Sequence, residues 1–181
     1  MIRVAVDAMG GDYAPGEIVK GAVQAAEQRK DIQIVLIGQE EVVREELKKY
    51  SFQEGQITVQ NATEVIATEE PPVNAIRKKK DSSLVVGMNM VKRGEADAIV
   101  SAGSSGAILV GGQVIVGRIK GVERPPLAPL IPTAKGASLL IDCGAHVDAM
   151  PSHLVQLARM GTIYMAHVAG TQNAGVASGA T

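Results

Sequence analysis

The amino-acid sequence predicts a layered α/β fold with a mostly parallel sheet, on the basis of three observations. Short β-branched runs alternate with segments of helical period, which is the pattern of parallel strands joined by crossover helices. The first two runs, residues 2–6 and 32–37, are dominated by apolar residues, as expected for strands covered on both faces. Turns rich in small and polar residues follow several of the runs, where open α/β sheets bind ligands.

The first third of the chain contains two regular βα units. Residues 2–6 predict one strand and residues 32–37 predict a second. The helix between them has a single apolar stripe, formed by Ile18, Val19, Ala22, Val23 and Ala26. Residues 40–50 predict a charged surface helix in which Glu45 and Lys49 pair on the outer side.

The middle of the chain continues the alternation with one interruption. Residues 57–59 predict a third strand. The stretch 68–72 predicts a loop, because proline lacks an N–H donor and restricts the residue before it. Residues 81–83 predict a cap for a helix that runs through Lys92. Residues 96–100 predict a fourth strand, after which a Gly/Ser turn opens a long helix.

The last third of the chain predicts two strand-like runs and one helix. The runs are residues 127–131 and 138–141, and Pro151 suits the first turn of the helix. Large apolar residues are rare near the end of the sequence. We therefore expect a single α/β domain over residues 1–169 and a disordered tail over residues 170–181.

Composition and charge disfavour several classes of function. With 18 basic and 19 acidic residues the net charge is -1, so no overall field attracts nucleic acid. The 2% aromatic content also leaves few rings for base stacking. The single cysteine, Cys143, excludes an internal disulfide and predicts a cytoplasmic protein. We expect neither a signal peptide nor an apolar stretch of the roughly 20 residues that span a bilayer.

The turn after the fourth predicted strand, residues 101–106, is the first candidate site and is called the serine turn. Its candidate phosphate-binding residues are Ser101, Gly103, Ser104, Ser105 and Gly106. Small residues let backbone N–H groups approach an oxyanion, hydroxyls add donors, and the helix N-terminus supplies partial positive charge. The turn is therefore a candidate phosphate cradle, although a tight strand-to-helix connection would need the same small residues.

A second candidate turn, residues 7–12, follows the first predicted strand and is called the glycine turn. Its candidate cleft residues are Asp7, Gly10, Gly11 and Asp12, and it can share one crevice with the serine turn. The G-x-G-x-x-G spacing and the Lys-Ser/Thr ending of a P-loop are both missing, so nucleotide binding is disfavoured. Backbone angles that need glycine and aspartates that cap a turn would explain the same residues.

A third polar turn follows the last strand-like run. Asp142, Gly144 and His146 are its candidate cleft residues, and the three turns together indicate one site. A metal at Asp142, His146 and Asp148 is disfavoured because these side chains lie in one short loop with no further His/Cys cluster. Cys143, beside the strand end, is more typical of a small buried residue than of a nucleophile.

Two basic groups are able to contact phosphate or an acidic partner. They are the compact basic run Arg77, Lys78, Lys79 and Lys80, and a looser group of Arg118, Lys120 and Arg124. A solvated surface would also explain both groups. No Ser-His-Asp order and no paired carboxylates with separate acid and base roles are evident, so a hydrolase is not indicated.

Four ordered motifs closely resemble those of the PlsX family of phosphate acyltransferases. They are Val6 to Pro15, Ala75 to Ser83, Ala96 to Gly103, and Gly117 to Pro125. The resemblance runs from the first residue to about Asn173, and the family is about twice as long as this chain.

This resemblance implies both a fold and a reaction. The implied architecture is a three-layer α/β/α fold like that of phosphate acetyltransferases and isopropylmalate dehydrogenases, with the active site between two lobes. The implied reaction transfers a long-chain acyl group from acyl carrier protein to inorganic phosphate, without a redox or nucleotide cofactor. The serine turn would hold phosphate, and Arg77 to Lys80 would dock the acidic carrier protein. A homodimer and a peripheral contact with the inner face of the membrane are also implied.

Departures from the family pattern fall at the proposed site. Ser104-Ser105 stands where the family has Asn-Thr, and His146 stands where it has Asn. Loss of an asparagine amide removes one donor and one acceptor. Two alternatives stay open beside the long-chain acyltransferase. One is a non-catalytic module that binds phosphate or dimerises, and the other is a short-chain phosphate acetyltransferase that uses coenzyme A.

Overall fold

A computed structural model describes residues 1–134, 136–145 and 148–178. The predicted site residue His146 and the last three residues of the predicted tail, 179–181, lie outside the described residues. None of the helices in the described part of the chain is long and apolar enough to cross a lipid bilayer.

The described residues form two compact units. The first unit extends from Met1 to Gly117, and the second begins at Arg118. The single domain expected over residues 1–169 therefore contains a unit boundary. At that boundary Gly117 has a φ of 101°, an angle that glycine adopts readily and that ends the helical segment before it.

The first unit is built on a four-stranded parallel sheet with the strand order β3-β2-β1-β4. The strands are β1 (Ile2–Asp7), β2 (Ile32–Gly38), β3 (Ile57–Asn61) and β4 (Ala98–Val100). β1 lies between β2 and β4, and its last residue, Asp7, is opposite Ile37 of β2. This arrangement confirms the predicted α/β class with a parallel sheet.

Five helices of the first unit lie between or after these strands. They are α1 (Gly16–Gln28), α2 (Glu40–Leu47), α3 (Pro72–Lys78), α4 (Ser83–Lys92) and α5 (Ser105–Gly111), and α5 continues into a π-helical turn at Gly112–Val116. The predicted helix after residue 83 is confirmed, with the Oγ of Ser82 accepting the N–H of Val85 at 3.4 Å. The predicted stripe of α1 is confirmed by its buried residues, which are Val19, Ala22, Val23 and Ala26.

Helices cover both faces of this sheet. Alternate residues of a strand point to opposite faces. On one face Val6 and Leu36 pack with α1 and α2. On the other face Val35 and Ile37 pack with Met90 of α4. Strands that are covered twice have no solvent-facing row, which explains why their sequences are dominated by apolar residues.

Helix α3 was not expected from the sequence. The loop predicted at residues 68–72 gives way to α3 at Pro72, which occupies the first helical position. The N–H of that position has no acceptor within a helix, so a proline there removes nothing. The proline pair thus marks the start of a helix as well as the end of a loop.

The predicted ion pair on α2 is wrong. Glu45 pairs with Lys48, and Lys49 instead lies 2.6 Å from Glu46. The predicted helix extended to residue 50, but α2 ends at Leu47, so both lysines lie beyond it and reach back three residues rather than four. Because all but one of these side chains are well exposed, the pairs contribute little to stability.

The second unit contains a β-hairpin and one long helix. Strands β5 (Leu130–Thr133) and β6 (Gly136–Leu139) pair antiparallel, and α6 covers Pro151–His167. The strands overlap the predicted runs 127–131 and 138–141, but they form a two-stranded sheet of their own. The predicted helix that begins at the proline is confirmed.

A histidine caps the start of α6. The Nδ1 of His153 accepts the N–H of Met150 at 3.1 Å, and its Nε2 lies 3.0 Å from Oε2 of Glu123. Residues 170–178, after α6, form neither helix nor strand. Disorder over residues 170–181 stays a prediction.

Candidate functional site

The glycine turn and the serine turn lie against each other at the carboxyl end of the sheet. A Cβ on Gly103 would lie 3.3 Å from the Cα of Gly10, and one on Gly11 would lie 3.2 Å from the Cβ of Ala102. Gly11 also has a φ of 108°, an angle that L side chains rarely adopt. Two of the three predicted turns are therefore in direct contact, and the contact requires glycine.

A buried carboxylate joins the two turns. Asp7 is 3% exposed, and its Oδ2 accepts a hydrogen bond from the Oγ of Ser101 at 2.7 Å. Its Oδ1 accepts the N–H of Met9 at 3.2 Å. The Oγ of Ser101 in turn accepts the N–H of Gly103 at 3.1 Å. The single hydrogen of the Ser101 hydroxyl is therefore used inside the protein.

The second half of the serine turn is the start of α5. Ser104 is buried, and its Oγ accepts the N–H of Ala107 at 3.3 Å, so it caps the helix. Ser105 is exposed and Gly106 is half-buried. The first N–H groups of a helix have no acceptor within it, so those of Ser105 and Gly106 are available to a ligand.

These groups give the solvent-facing side of the serine turn the donors that an oxyanion needs. The N–H groups of Ser105 and Gly106 point outward from the helix start. The oxygen of Ser104 acts as an acceptor in the cap, which leaves its own hydrogen for a ligand. An anion here would be held mainly by backbone donors, as in other concave anion sites made of successive N–H groups.

Helix α3 packs against the serine turn, a contact that the sequence analysis missed. A Cβ on Gly106 would lie 2.7 Å from the Cγ of Pro72, so the starts of α3 and α5 touch. Proline at a first helical position was the available signal. α3 carries Arg77 and Lys78 in its last turn, so one helix connects the serine turn with the basic run.

One lysine of the basic run is held in place by the fold. The Nζ of Lys79 lies 2.5 Å from Oε1 of Glu70 and 2.6 Å from the carbonyl oxygen of Val65. The hydrogen bonds from Lys79 and from the N–H of Ala67 hold the pKa of Glu70 below its usual range. Lys79 thus fixes the loop before α3 and is a poor candidate for contact with a partner.

The rest of the basic run is more accessible. The Nζ of Lys80 donates to the carbonyl of Ile76 at 3.2 Å, which covers the end of α3. Arg77 and Lys78 are exposed, and their side chains have no hydrogen-bond partner among the described residues. Two of the four predicted cations are therefore available to an acidic ligand or protein.

Three candidate cleft residues within the described part of the chain remain, one in the glycine turn and two in the third turn. Asp12 is exposed in the glycine turn. Asp142 and Gly144 belong to the second unit, where Oδ1 of Asp142 accepts the N–H of Leu127 at 2.8 Å. Gly144 has a φ of 83°, which accounts for a glycine at that position. The role of the third turn in a common site stays a prediction.

The two arginines of the looser basic group also belong to the second unit. Both are exposed, and each donates to a backbone carbonyl. The Nη1 of Arg118 bonds Glu123 at 2.6 Å, and the Nη1 of Arg124 bonds Asp148 at 3.2 Å. These bonds stabilise irregular backbone and leave the other guanidinium hydrogens for a ligand.

A surface groove of about 340 Å³ lies toward the amino end of the sheet, away from the two turns. Its lining includes Arg3, Gln33 and Glu95. Arg3 donates to the carbonyl of Glu95 at 2.8 Å and to Gln33 at 3.4 Å, so two of its N–H groups are used within the protein. The described residues contain no group of three or more His, Cys, Asp or Glu side chains that could hold a metal ion.

Comparison with known proteins shows which family the chain belongs to. Residues 2–178 match the model of a family described as fatty acid synthesis protein. The phosphate acyltransferase of Desulfitobacterium hafniense is 50% identical over 173 residues, which are 96% of this chain and 51% of that protein. The chain belongs to the PlsX family of phosphate acyltransferases. The relative in Syntrophomonas wolfei, also a phosphate acyltransferase, is 50% identical over 177 residues, 97% of this chain and 55% of that protein.

The PlsX chain described here spans about half the length of the curated relatives it matches. Solved structures confirm the predicted fold class. A phosphotransacetylase from Streptococcus pyogenes superposes with a TM-score of 0.70 at 19% identity, over 94% of this chain and 55% of that one. The EutD phosphotransacetylase from Staphylococcus aureus superposes with a TM-score of 0.66 at 16% identity, over 91% and 52%. At these identities the likeness concerns the fold alone.

Alanine at Gly10 should disrupt the contact between the two turns of this PlsX chain. Its Cβ would collide with the Asp7 carboxylate and lie 2.9 Å from the Oγ of Ser101, so Gly10→Ala should lower the free energy of unfolding by about 1–3 kcal/mol. Gly21→Ala is the control, because nothing lies within 4 Å of that position in α1. It should raise stability by up to about 1 kcal/mol. Urea denaturation followed by circular dichroism measures both, and equal stabilities would contradict the packing described.

Proposed function

We propose that the protein transfers a long-chain fatty acyl group from acyl carrier protein to inorganic phosphate, forming acyl-phosphate. The observation that carries the proposal is 50% identity over nearly the whole chain to phosphate acyltransferases. The contact between two small-residue turns supports it, because the N–H groups of Ser105 and Gly106 at the start of α5 suit a phosphate. The long acyl chain and the carrier-protein donor come from the resemblance of the sequence motifs.

The reaction needs orientation more than it needs a strong base. An oxygen of the hydrogen phosphate dianion attacks the thioester carbonyl, the C–O bond forms, and the C–S bond breaks. The phosphate proton goes to the leaving thiolate, so the products are acyl-phosphate and a free thiol. Because the second pKa of phosphate is about 6 to 7, the nucleophile is already largely dianionic near neutral pH. Holding the phosphate oxygen close to the thioester carbonyl in the orientation for attack therefore contributes most of the acceleration.

The serine turn would hold the phosphate. The N–H groups of Ser105 and Gly106 and the hydroxyl of Ser104 are the donors, and the helical segment behind them favours negative charge at its start. Similar backbone donors would stabilise the oxyanion that forms as the thioester is attacked. Ser101 would act indirectly, since its hydrogen is given to Asp7.

The end of α3 would receive the carrier protein. Arg77 and Lys78 offer positive charge to an acidic surface, which raises the rate and specificity of docking. With a rise of 1.5 Å per residue, Lys78 lies about 9 Å along α3 from Pro72, the residue that touches Gly106. A carrier bound there would present its thioester near the serine turn.

The proposed location and oligomeric state of the protein come from the same family resemblance. A cytoplasmic protein agrees with the single cysteine, Cys143, because reducing compartments do not favour disulfides. A homodimer and a peripheral contact with the membrane complete the proposal. Each would be tested on the purified chain, by sedimentation alone and by sedimentation with anionic vesicles.

A second candidate function is phosphate binding or dimerisation without turnover. The Ser104-Ser105 pair, in place of the Asn-Thr of the family pattern, would weaken catalysis more than it would weaken binding through backbone N–H groups.

One assay separates these functions. The purified chain is incubated with phosphate and a palmitoyl thioester of acyl carrier protein, with palmitoyl-CoA, or with acetyl-CoA, and acyl-phosphate is trapped as its hydroxamate. Product from the carrier-protein thioester supports the proposed function, and product from acetyl-CoA alone supports a short-chain phosphate acetyltransferase. Phosphate binding without product supports the second candidate. A chain that forms no product, binds no phosphate and does not dimerise would contradict both proposals.

Ser104→Ala should weaken phosphate binding by about tenfold, because it removes a hydroxyl donor to an anion. Ser82→Ala is a matched control, since Ser82 caps α4 as Ser104 caps α5. Both variants should lose about 1 kcal/mol of stability, but only the first should lose affinity. Titration with phosphate followed by ³¹P NMR measures the affinity. Unchanged affinity in Ser104→Ala, or an equal loss in both variants, would count against the serine turn.

Lys78→Glu should weaken binding of acyl carrier protein by about two- to tenfold at low salt, because it reverses one exposed charge at the docking surface. Lys92→Glu is the control, since Lys92 is exposed at the end of α4 as Lys78 is exposed at the end of α3. Surface plasmon resonance at two salt concentrations measures both variants. Equal affinities would show that the carrier binds elsewhere.

A further inference from the structure

Asp7, Ser101 and Gly103 form a chain of hydrogen bonds beneath the serine turn. The Ser101 hydroxyl donates to Asp7 at 2.7 Å and accepts from the N–H of Gly103 at 3.1 Å. A carboxylate offers only acceptors and a hydroxyl has one hydrogen, so the hydrogen of Ser101 points at Asp7. The lone pairs of the Ser101 oxygen are then free to accept the N–H of Gly103, and this bond fixes the direction of that N–H.

A buried carboxylate beside an anion site has two opposite effects. Its charge repels an incoming phosphate, more strongly where the site is dry. Its hydrogen bonds also hold the turn in one shape, so that less conformational entropy is lost when the anion binds. The net effect on phosphate affinity depends on whether the charge acts on the ligand directly or the carboxylate acts only through the shape of the turn.

The position of Gly10 favours the second effect. A Cβ on Gly10 would collide with Oδ2 of Asp7, so the backbone of Gly10 covers the carboxylate. Asp7 is 3% exposed, and both of its oxygens already accept hydrogen bonds, from Ser101 and from Met9. The carboxylate therefore affects the turn through its hydrogen bonds and does not contact the ligand.

We propose that Asp7 is a positioning residue for phosphate in the serine turn. It orients Ser101, which holds Gly103, so the turn has its binding shape before the anion arrives. The inference rests on the phosphate site of the proposed function and assigns Asp7 no contact with the substrate. The donors to phosphate remain Ser104, Ser105 and Gly106.

The chain offers a matched control at the other end of the same pair of strands. Oδ2 of Asp97 accepts the N–H of Arg3 at 2.7 Å, so this aspartate also joins β4 to β1 through a side-chain hydrogen bond. Asp97 lies just before β4, whereas Ser101 lies just after it. Asp97→Ala should therefore weaken the docking of β4 on β1 without altering the serine turn.

The test compares phosphate affinity, by ³¹P NMR titration, in Asp7→Ala, Ser101→Ala, the double variant and Asp97→Ala. Each of the first two should weaken phosphate binding by about tenfold, because the loosened turn must then be ordered as the anion binds. The double variant should be no weaker than either single variant, because the two residues act as one unit. Asp97→Ala should keep its affinity within about twofold of the starting protein while its unfolding midpoint falls.

Asp7→Asn separates positioning from charge and also serves if Asp7→Ala does not fold. The amide oxygen can still accept the Ser101 hydrogen, so positioning predicts an affinity between those of the original protein and Asp7→Ala. If charge repulsion dominated, Asp7→Asn would bind phosphate more tightly, and the inference would be overturned. It would also be overturned if the effects of Asp7→Ala and Ser101→Ala were additive, or if Asp97→Ala lost as much affinity.

A readout without phosphate keeps this inference distinct from the proposed function. The amide hydrogen of Gly103 should exchange with solvent at least tenfold faster in Asp7→Ala than in the original protein or in Asp97→Ala. If the original protein does not bind phosphate, the proposed function fails. Unchanged exchange at Gly103 would then reject the link from Asp7 through Ser101, and faster exchange would retain it as a property of the turn.

Discussion

The first unit depends on the parallel pairing of β1 with β2 on one side and β4 on the other. β1 also has helices on both faces, so its middle residues, Ala5 and Val6, are closed to solvent from four directions. A polar side chain can be accommodated only where the strand ends. Asp7 is at that position, and its hydrogen bonds compensate for burial. Asp7 and Ser101 therefore form a polar contact at the carboxyl edge of the sheet.

The same pairing explains why the two turns consist of small residues. Neighbouring strands are about 4.8 Å apart, so the chain segments that leave them must pass within van der Waals distance. Gly10, Gly11 and Gly103 satisfy this requirement, and Ser101 fits while adding a hydrogen bond. Tight packing and anion binding therefore require similar residues. What distinguishes them is whether donors remain free, and the first N–H groups of α5, those of Ser105 and Gly106, have no acceptor within the helix.

Much of this architecture could be predicted from local sequence, because local features determine it. The apolar content of residues 32–37 is sufficient to identify β2, and Ser82 is a recognisable cap. Contacts between distant residues could not be predicted in this way. Asp7 and Ser101 are 94 residues apart, and no periodicity links them. The candidate residues of the two turns could be named, but not which of their donors are used internally.

The predictions that were wrong or incomplete also depended on contacts that local sequence does not show. A proline pair can end one segment and begin another, and α3 begins at Pro72, which packs on Gly106. The basic run contains four cations in sequence, yet Lys79 is directed inward to Glu70. Which cations face a partner depends on the path of the loop before α3. Family resemblance predicted the family more directly than any single residue pattern, since it combines four motifs at once.

The position of β4 at the edge of the sheet affects how the site forms during folding. Ile2 of β1 is opposite Ile32, whereas Val4 is opposite Ala98, so the second pairing closes a much longer loop of chain. The entropy of closure rises with loop length, and we expect the β1-α1-β2 segment to collapse first and β4 to join late. On the ribosome, the anion site would come into existence only after Ser101 has emerged. A ligand that binds there could stabilise the folded unit, but it could not promote the earlier steps of folding.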